Sequence, residues 1–289
     1  MIKRAILPVA GLGTRFLPLT KILAKELLPL VDAPLVRYAV KEVKDAGINQ
    51  IIFVVSDNKA NIPDYFKKNQ RLENILKRCN KKELLEILKK EEEEFKGMSF
   101  SSVLQEVPRG DGDAVLKAKK QIKKEPFAVL FADDVFESEV PPIGQLEKVF
   151  STSKKLVVGL KRVPRERLSY YGVVGVERIA NRMYKIKEIK EKPNINEAPS
   201  DLVFAGRCIC PPEFIHYIEN TPPNKKGEVI LADAFKKMIE DGKIVYGYEI
   251  VGEWLECGNM AAWLKSNLYL TLRHPKYGKE LREWVKKMN

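Results

Sequence analysis

The chain has 289 residues, 45% hydrophobic and 31% charged, which fits a soluble globular protein of one large or two modest domains. No apolar run reaches the roughly 18 residues a membrane helix needs, so a membrane partner is excluded. The net charge of +12 invites nucleic acid, but runs such as KKELLEILKKEEEEFK mix both signs on a solvated helix and no aromatic-interleaved basic motif appears. Nucleic acid is therefore not expected; polyanionic phosphate substrates suit the same excess.

The N-terminal half reads as alternating strands and helices. AILPVA (5–10) is a buried strand, and MIKRAILPVAG lacks the long apolar core and cleavage site of a signal peptide, so a cytoplasmic protein is expected. A helix over 34–46 precedes a strand at 50–56. Residues 60–96 read as mostly helical, with two charged amphipathic helices around Cys79. A strand at 99–106, a helix at 112–122 and the apolar strand FAVLFA (127–132) follow. Short apolar strands between helices predict a parallel sheet covered on both faces.

The second half changes texture. Strands are expected at 154–163, 171–176, 182–193 and 201–210, with few helices between them. Helices at 211–219 and 228–241, strands at 244–250 and 253–257, and helices at 259–273 and 277–288 complete the chain. No Gly/Ser linker divides it. The expected fold is α/β: a Rossmann-like mixed, mostly parallel central sheet flanked by helices, with an antiparallel extension, in a single domain over 1–289. Cys208 and Cys210 alternate along one strand, so both face one way. With Cys79 and Cys257 they form neither a redox nor a zinc framework and read as free thiols. Two histidines, His216 and His274, stand outside any motif, which argues against histidine-based catalysis or a histidine metal site.

Three stretches carry chemistry. In GLGTRFLPLTKILAKELLP, two glycines follow a buried strand, allowing a tight turn whose amides can face an anion. Phe16 stands where a dinucleotide fingerprint needs its third glycine, and no glycine-lysine-serine/threonine of a P-loop follows. Arg15, Lys21 and Lys25 could neutralise a triphosphate; a structural turn with incidental cations is the alternative. In AVLFADDVF, Asp133 closes an apolar strand, and ligands of open parallel sheets bind beyond the carboxyl ends of strands. A carboxylate beside a phosphate site calls for a bridging metal, and magnesium takes one or two carboxylates plus phosphate oxygens; a turn or cap aspartate is the alternative. In IKEIKEKP, Glu191 and Lys192 end a strand, suited to sugar hydroxyls and a phosphate, or simply a solvated strand end. Gly206 and Gly258 could admit a ligand closely or mark bulges.

Together these motifs resemble the bacterial-type UTP–glucose-1-phosphate uridylyltransferases, within the wider sugar-nucleotidyltransferase group. GLGTRFLP, TK and KELLP resemble the signature segment, LQEVPRGDGDAV the uracil loop, FADDVF the metal-binding strand end, and YYGVV, IKEKP and VFAGRCI the sugar side. The resemblance covers about residues 2 to 275. It departs at Ala24, where a proline is usual; at Asp111 and Asp113, for leucine and histidine; at Ala132, for glycine or proline; and at Glu256, for aspartate.

The resemblance implies transfer of UMP from UTP to glucose 1-phosphate, giving UDP-glucose and pyrophosphate, with Mg2+ as cofactor. Arg15, Lys25, Asp133 and Lys192 are the implied catalytic residues. Ala10, Gly11, Gly13, Thr14, Gln105 and Gly110 would bind the nucleotide, and Gly172, Glu191, Lys192 and Gly206 the sugar. Asp133 and Glu256 would hold the metal. Residues 1–150 would form the nucleotide half, 151–258 the sugar half and 259–289 C-terminal helices, in a homodimer or homotetramer. Rival expectations are the same chemistry on another sugar phosphate or dTTP, or a non-catalytic paralogue that only binds nucleotide sugars.

Overall fold

The computed structural model describes residues 2–288. In the first half, β1 (Arg4–Pro8), β2 (Pro29–Leu30), β3 (Ala33–Pro34), α1 (Leu35–Asp45), β4 (Gln50–Val55), α2 (Gln70–Arg78), α3 (Lys82–Glu94), β5 (Ser99–Leu104), α4 (Asp111–Lys117), α5 (Lys119–Ile122) and β6 (Phe127–Leu130) follow the expected order, save that the two-residue strands β2 and β3 were not expected. Next come β7 (Asp134–Glu137), α6 (Pro142–Ser153), β8 (Leu156–Arg162), β9 (Gly172–Ala180), β10 (Met183–Glu191) and β11 (Leu202–Cys210). The chain ends with α7 (Phe214–Glu219), α8 (Leu231–Glu240), β12 (Val245–Glu249), β13 (Glu253–Glu256), α9 (Met260–Arg273) and α10 (Gly278–Lys286).

One nine-stranded sheet, in the order β5-β4-β1-β6-β11-β8-β12-β10-β9, runs through both halves. Pairing is parallel across β5–β4–β1–β6 and between β8 and β12. It is antiparallel where β11 enters between β6 and β8, and in the β12-β10-β9 extension. The sheet is mixed, as expected, with a larger antiparallel share than the apolar runs implied. A strand buried on both faces is apolar throughout whichever way its neighbours run, so β11 carried no directional signal.

Burial on both faces accounts for the apolar runs. Along β4, Ile51, Phe53 and Val55 enter the core under α1 and α6, while Ile52 and Val54 enter the opposite core under α4, α7 and α8. β6 divides the same way, with Ala128 and Leu130 on one side and Phe127 and Val129 on the other. Each such side chain contributes roughly 1.5–3 kcal/mol by leaving water. Cys208 and Cys210 share one face, fully buried with Sγ atoms 3.6 Å apart, and all four cysteines are free.

The charged insert packs through Phe95, whose ring meets Phe66 edge-on at 5.2 Å. Arg37 of α1 grips Glu91 of α3 through two bonds of 2.7 and 2.9 Å. The expected helix at 112–122 is broken at Ala118 into α4 and α5, and Pro211 and Pro212 delay α7 to Phe214. Besides β2 and β3, two longer elements were not anticipated. α6 follows a proline pair and buries Ile143, Leu146 and Phe150, a helical spacing visible in PPIGQLEKVF. β7 is a four-residue strand whose only strand partner among the described residues is β13, more than a hundred residues later. Among the described residues no helix is long and apolar enough to cross a membrane.

Candidate active site

β1 and β6 are adjacent and parallel, with Ile6 opposite Val129, so the segments leaving their C-terminal ends share one sheet edge. The glycine loop leaves β1 and Asp133 follows β6. A cleft of about 1430 Å³ opens there, lined by Thr14, Arg15, Gly110, Asp133, Gly172, Glu191, Lys192, Gly206 and Glu256, all anticipated as site residues. The remaining anticipated positions do not line it. Ala10 and Gln105 are buried, Gly11 is exposed, and Gly13 precedes the turn that carries Thr14 and Arg15. Lys21 is exposed and stands apart from the cleft.

Asp133 is the electrostatic centre. Its Oδ2 accepts from Lys25 Nζ at 2.6 Å and lies 4.0 Å from Arg15 Nη2. Burial opposes its ionisation, but the two cations outweigh burial and hold its pKa below the ordinary carboxylate range. Burial likewise opposes the Lys25 charge, and Asp133 with Glu26 outweighs it, so the ammonium is held above its ordinary range. Lys25 sits in a short 3-10 turn, Lys25–Leu27, whose partner Leu28 is packed in the core with Phe16.

Asp134 is the opposite case. Burial and then the neighbouring Asp133 charge push its pKa up to about 7, while its Oδ1 accepts from Trp254 Nε1 at 2.9 Å. Gly206 makes room for it. With φ at +66, this residue occupies the left-handed region, and a Cβ there would collide with the Asp134 carboxylate.

Glu256 faces Asp134 across the β13–β7 pair. Its Oε2 accepts from Arg167 and from the Tyr171 hydroxyl at 2.7 Å. Arg167, Tyr171 and Trp254 were missed in the sequence. The two partners of Glu256 lie more than eighty residues before it, and charges at that separation carry no pairing signal. On the far wall, Gly172 pairs with Glu191 across β9 and β10. Lys192 adopts a left-handed φ of 47 and its Nζ lies 3.1 Å from Glu191 Oε1.

Gln105, expected to bind the nucleotide, has its amide protons engaged within the protein. Its Nε2 donates to Gly110 O at 3.1 Å and to Asp113 Oδ2 at 2.7 Å, so both protons are used and only its carbonyl oxygen is left for a ligand. Asp111 Oδ1 accepts from the Leu231 amide at 2.8 Å, and burial raises its pKa to about 6.

Among the described residues no three His, Cys, Asp or Glu side chains converge as a closed metal cage. The donors do fit a magnesium ion that takes one or two carboxylates and completes its shell with phosphate oxygens and water. Asp133 is ionised in the cleft, and Glu256 enters the same cleft with one oxygen engaged by Arg167 and Tyr171.

A family model described as nucleotidyl transferase matches residues 4–272. The chain belongs to the nucleotidyl transferase family. A UTP–glucose-1-phosphate uridylyltransferase of Staphylococcus haemolyticus is 37% identical over 287 residues, covering 99% of this chain and 98% of the relative. The structure of a UTP-bound UGPase from Acinetobacter baumannii is 35% identical, covers all of both chains and superposes with a TM-score of 0.91. A UDP-glucose pyrophosphorylase complexed with UDP-glucose is 33% identical, covers 93% of this chain and 98% of its own, and has a TM-score of 0.83. The mixed sheet with flanking helices is the nucleotidyl transferase fold.

Proposed function

We propose that this nucleotidyl transferase is a UTP–glucose-1-phosphate uridylyltransferase. The observation that carries the reading is likeness over the whole chain, at 35–37% identity, to proteins of that name, one of them solved with UTP. The cleft supports it: Thr14, Arg15 and Asp133 line it beyond the C-terminal ends of β1 and β6, and Gly172, Glu191 and Lys192 line it from β9 and β10. Residues 1–150 supply the nucleotide half and 151–258 the sugar half of one domain.

A phosphate oxygen of glucose 1-phosphate attacks the α-phosphorus of UTP in line. The bond from that phosphorus to the bridging oxygen of pyrophosphate breaks, and UDP-glucose and pyrophosphate result without a covalent enzyme intermediate. Catalysis is then positioning and charge neutralisation. Arg15 and Lys25 stabilise negative charge gathering on the leaving pyrophosphate. Lys192 holds the sugar phosphate, and Glu191 with the Gly172 and Gly206 backbone takes the glucose hydroxyls. The Gln105 carbonyl accepts the ring N–H of uracil, and the Ala10–Thr14 and Gly110 backbone borders the nucleotide. Magnesium, held by Asp133 with Glu256 directly or through water, would supply charge neutralisation at the reacting phosphates. Exposed Leu84 and Ile87 on α3 offer apolar surface to a homodimer or homotetramer.

The test is pyrophosphate release across UTP, dTTP, CTP and ATP, each with a panel of sugar 1-phosphates, with and without magnesium. UTP with glucose 1-phosphate should give the highest kcat/KM, abolished by chelation. A higher value with dTTP or another sugar phosphate overturns the substrate assignment, and binding without release overturns the enzyme.

A further inference from the structure

Lys59 lies in the polar stretch SDNKANIP after β4, yet the residue is 3% exposed. Its ammonium donates to the carbonyl oxygens of Val9 at 3.0 Å and Gly11 at 2.5 Å, and to Glu26 Oε2 at 2.8 Å. Glu26 is 1% exposed, and its Oε1 has no partner among the described residues. A buried ion pair is a poor source of stability, because apolar residues of similar volume often serve equally well. Its position offers another use.

In a trans peptide the C=O and the following N–H point in opposite directions. Holding the Val9 and Gly11 carbonyls therefore turns the N–H groups of Ala10 and Leu12 away from Lys59. Among the described residues, the amides of Ala10, Gly11, Leu12 and Gly13 donate to no protein acceptor. Gly13 then takes a left-handed φ of 67 and delivers Thr14 and Arg15 into the cleft. The other end of the ion pair, Glu26, directly follows Lys25, the residue bonded to Asp133. One buried ammonium thus joins the glycine loop to the segment carrying the catalytic lysine.

We propose that Lys59 is a positioning residue for nucleotide binding: it fixes the carbonyls of the 9–11 segment so that the loop's free amides are presented to the triphosphate. The proposal rests on the reading that this loop receives UTP. Its test compares Glu26→Gln alone, in which the ammonium still has both loop carbonyls, with Lys59→Met in the same Glu26→Gln background, which leaves no buried carboxylate without its cation. UTP binding by calorimetry and both KM values are measured.

The double variant should remain folded by circular dichroism. It should bind UTP at least tenfold more weakly than Glu26→Gln and show a UTP KM raised to match, while the KM for glucose 1-phosphate moves less than threefold. UTP affinity within threefold of Glu26→Gln overturns the proposal, as does a parallel rise in both KM values, which signals general loosening. Should the double variant not fold, Lys59→Gln in the Glu26→Gln background, able to reach one carbonyl, should show a smaller loss of UTP affinity, and no loss there overturns the proposal. A wild-type protein that binds no UTP overturns the functional reading along with this one; a wild type that binds UTP keeps the two separate.

Discussion

Asp111 is a carboxyl under strain from burial, with a pKa raised from 3.8 to about 6. Between those two values the folded chain holds the proton more tightly than the unfolded chain does. Stability associated with Asp111 is therefore present below about pH 4 and lost as pH rises through about 6. Asp111→Asn keeps an oxygen for the Leu231 amide and removes the charge. It should stabilise the protein by about 1–3 kcal/mol at pH 8, with the gain vanishing near pH 4, in urea denaturation at several pH values. No gain at pH 8 would mean that water reaches this carboxylate freely. A different expectation attaches to Gln105, whose amide protons are used within the protein and whose carbonyl we propose for the base. Gln105→Ala should lower kcat/KM for UTP by about 1–3 kcal/mol, or roughly 5- to 150-fold. The KM for glucose 1-phosphate should hold. Unchanged UTP kinetics would remove Gln105 from the base site.

Among elements, α1, β7 and β11 meet at Arg207, which is fully buried on β11. Its guanidinium grips Glu42 of α1 at 2.8 Å and donates to the carbonyls of Phe131 and Asp134, the residues bracketing the Ala132–Asp133 turn. Arg207→Met leaves Glu42 buried without its partner and should cost about 3–5 kcal/mol, read as a fall in the urea midpoint; Glu42→Leu added to it should restore part of that loss. Full retention of stability in the single variant would mean that water solvates Glu42. This junction also marks where the sequence was legible. β1, β4 and β6 announce themselves because both faces are buried, and the glycine loop and Asp133 could be put at one edge from strand order alone. Arg207, Arg167 and Lys59 could not be found, because each is a charged residue in a polar or short apolar context whose carboxylate partner lies 33 to 165 positions away. β7 was invisible for the same reason: a four-residue strand needs β13 to exist.

At the scale of the molecule, α9 closes the site from behind. Trp263 Nε1 and Asn267 Nδ2 both donate to Pro29 O at 3.1 Å, and Ser266 Oγ donates to Glu256 O at 2.8 Å. Met260, Trp263, Tyr269 and Leu270 cover the core formed by Phe16, Leu28, Leu30, Leu35, Val135, Leu255 and Cys257. A protein truncated after Gly258 should bind a dye for exposed apolar surface and lose at least tenfold in UTP affinity. Wild-type affinity in that truncation would show that the Arg15 turn holds its shape unaided. The distribution of the cleft wall along the chain has a consequence for synthesis on the ribosome. Thr14 and Arg15 emerge early, but Glu256, Gly258, Lys265 and Tyr269 line the same cleft, so a growing chain carries the Thr14–Arg15 turn without that part of the wall for most of its synthesis. A chain stopped before Tyr269 lacks part of the cleft wall and should therefore gain less protection against proteases from added UTP than a chain that includes α9.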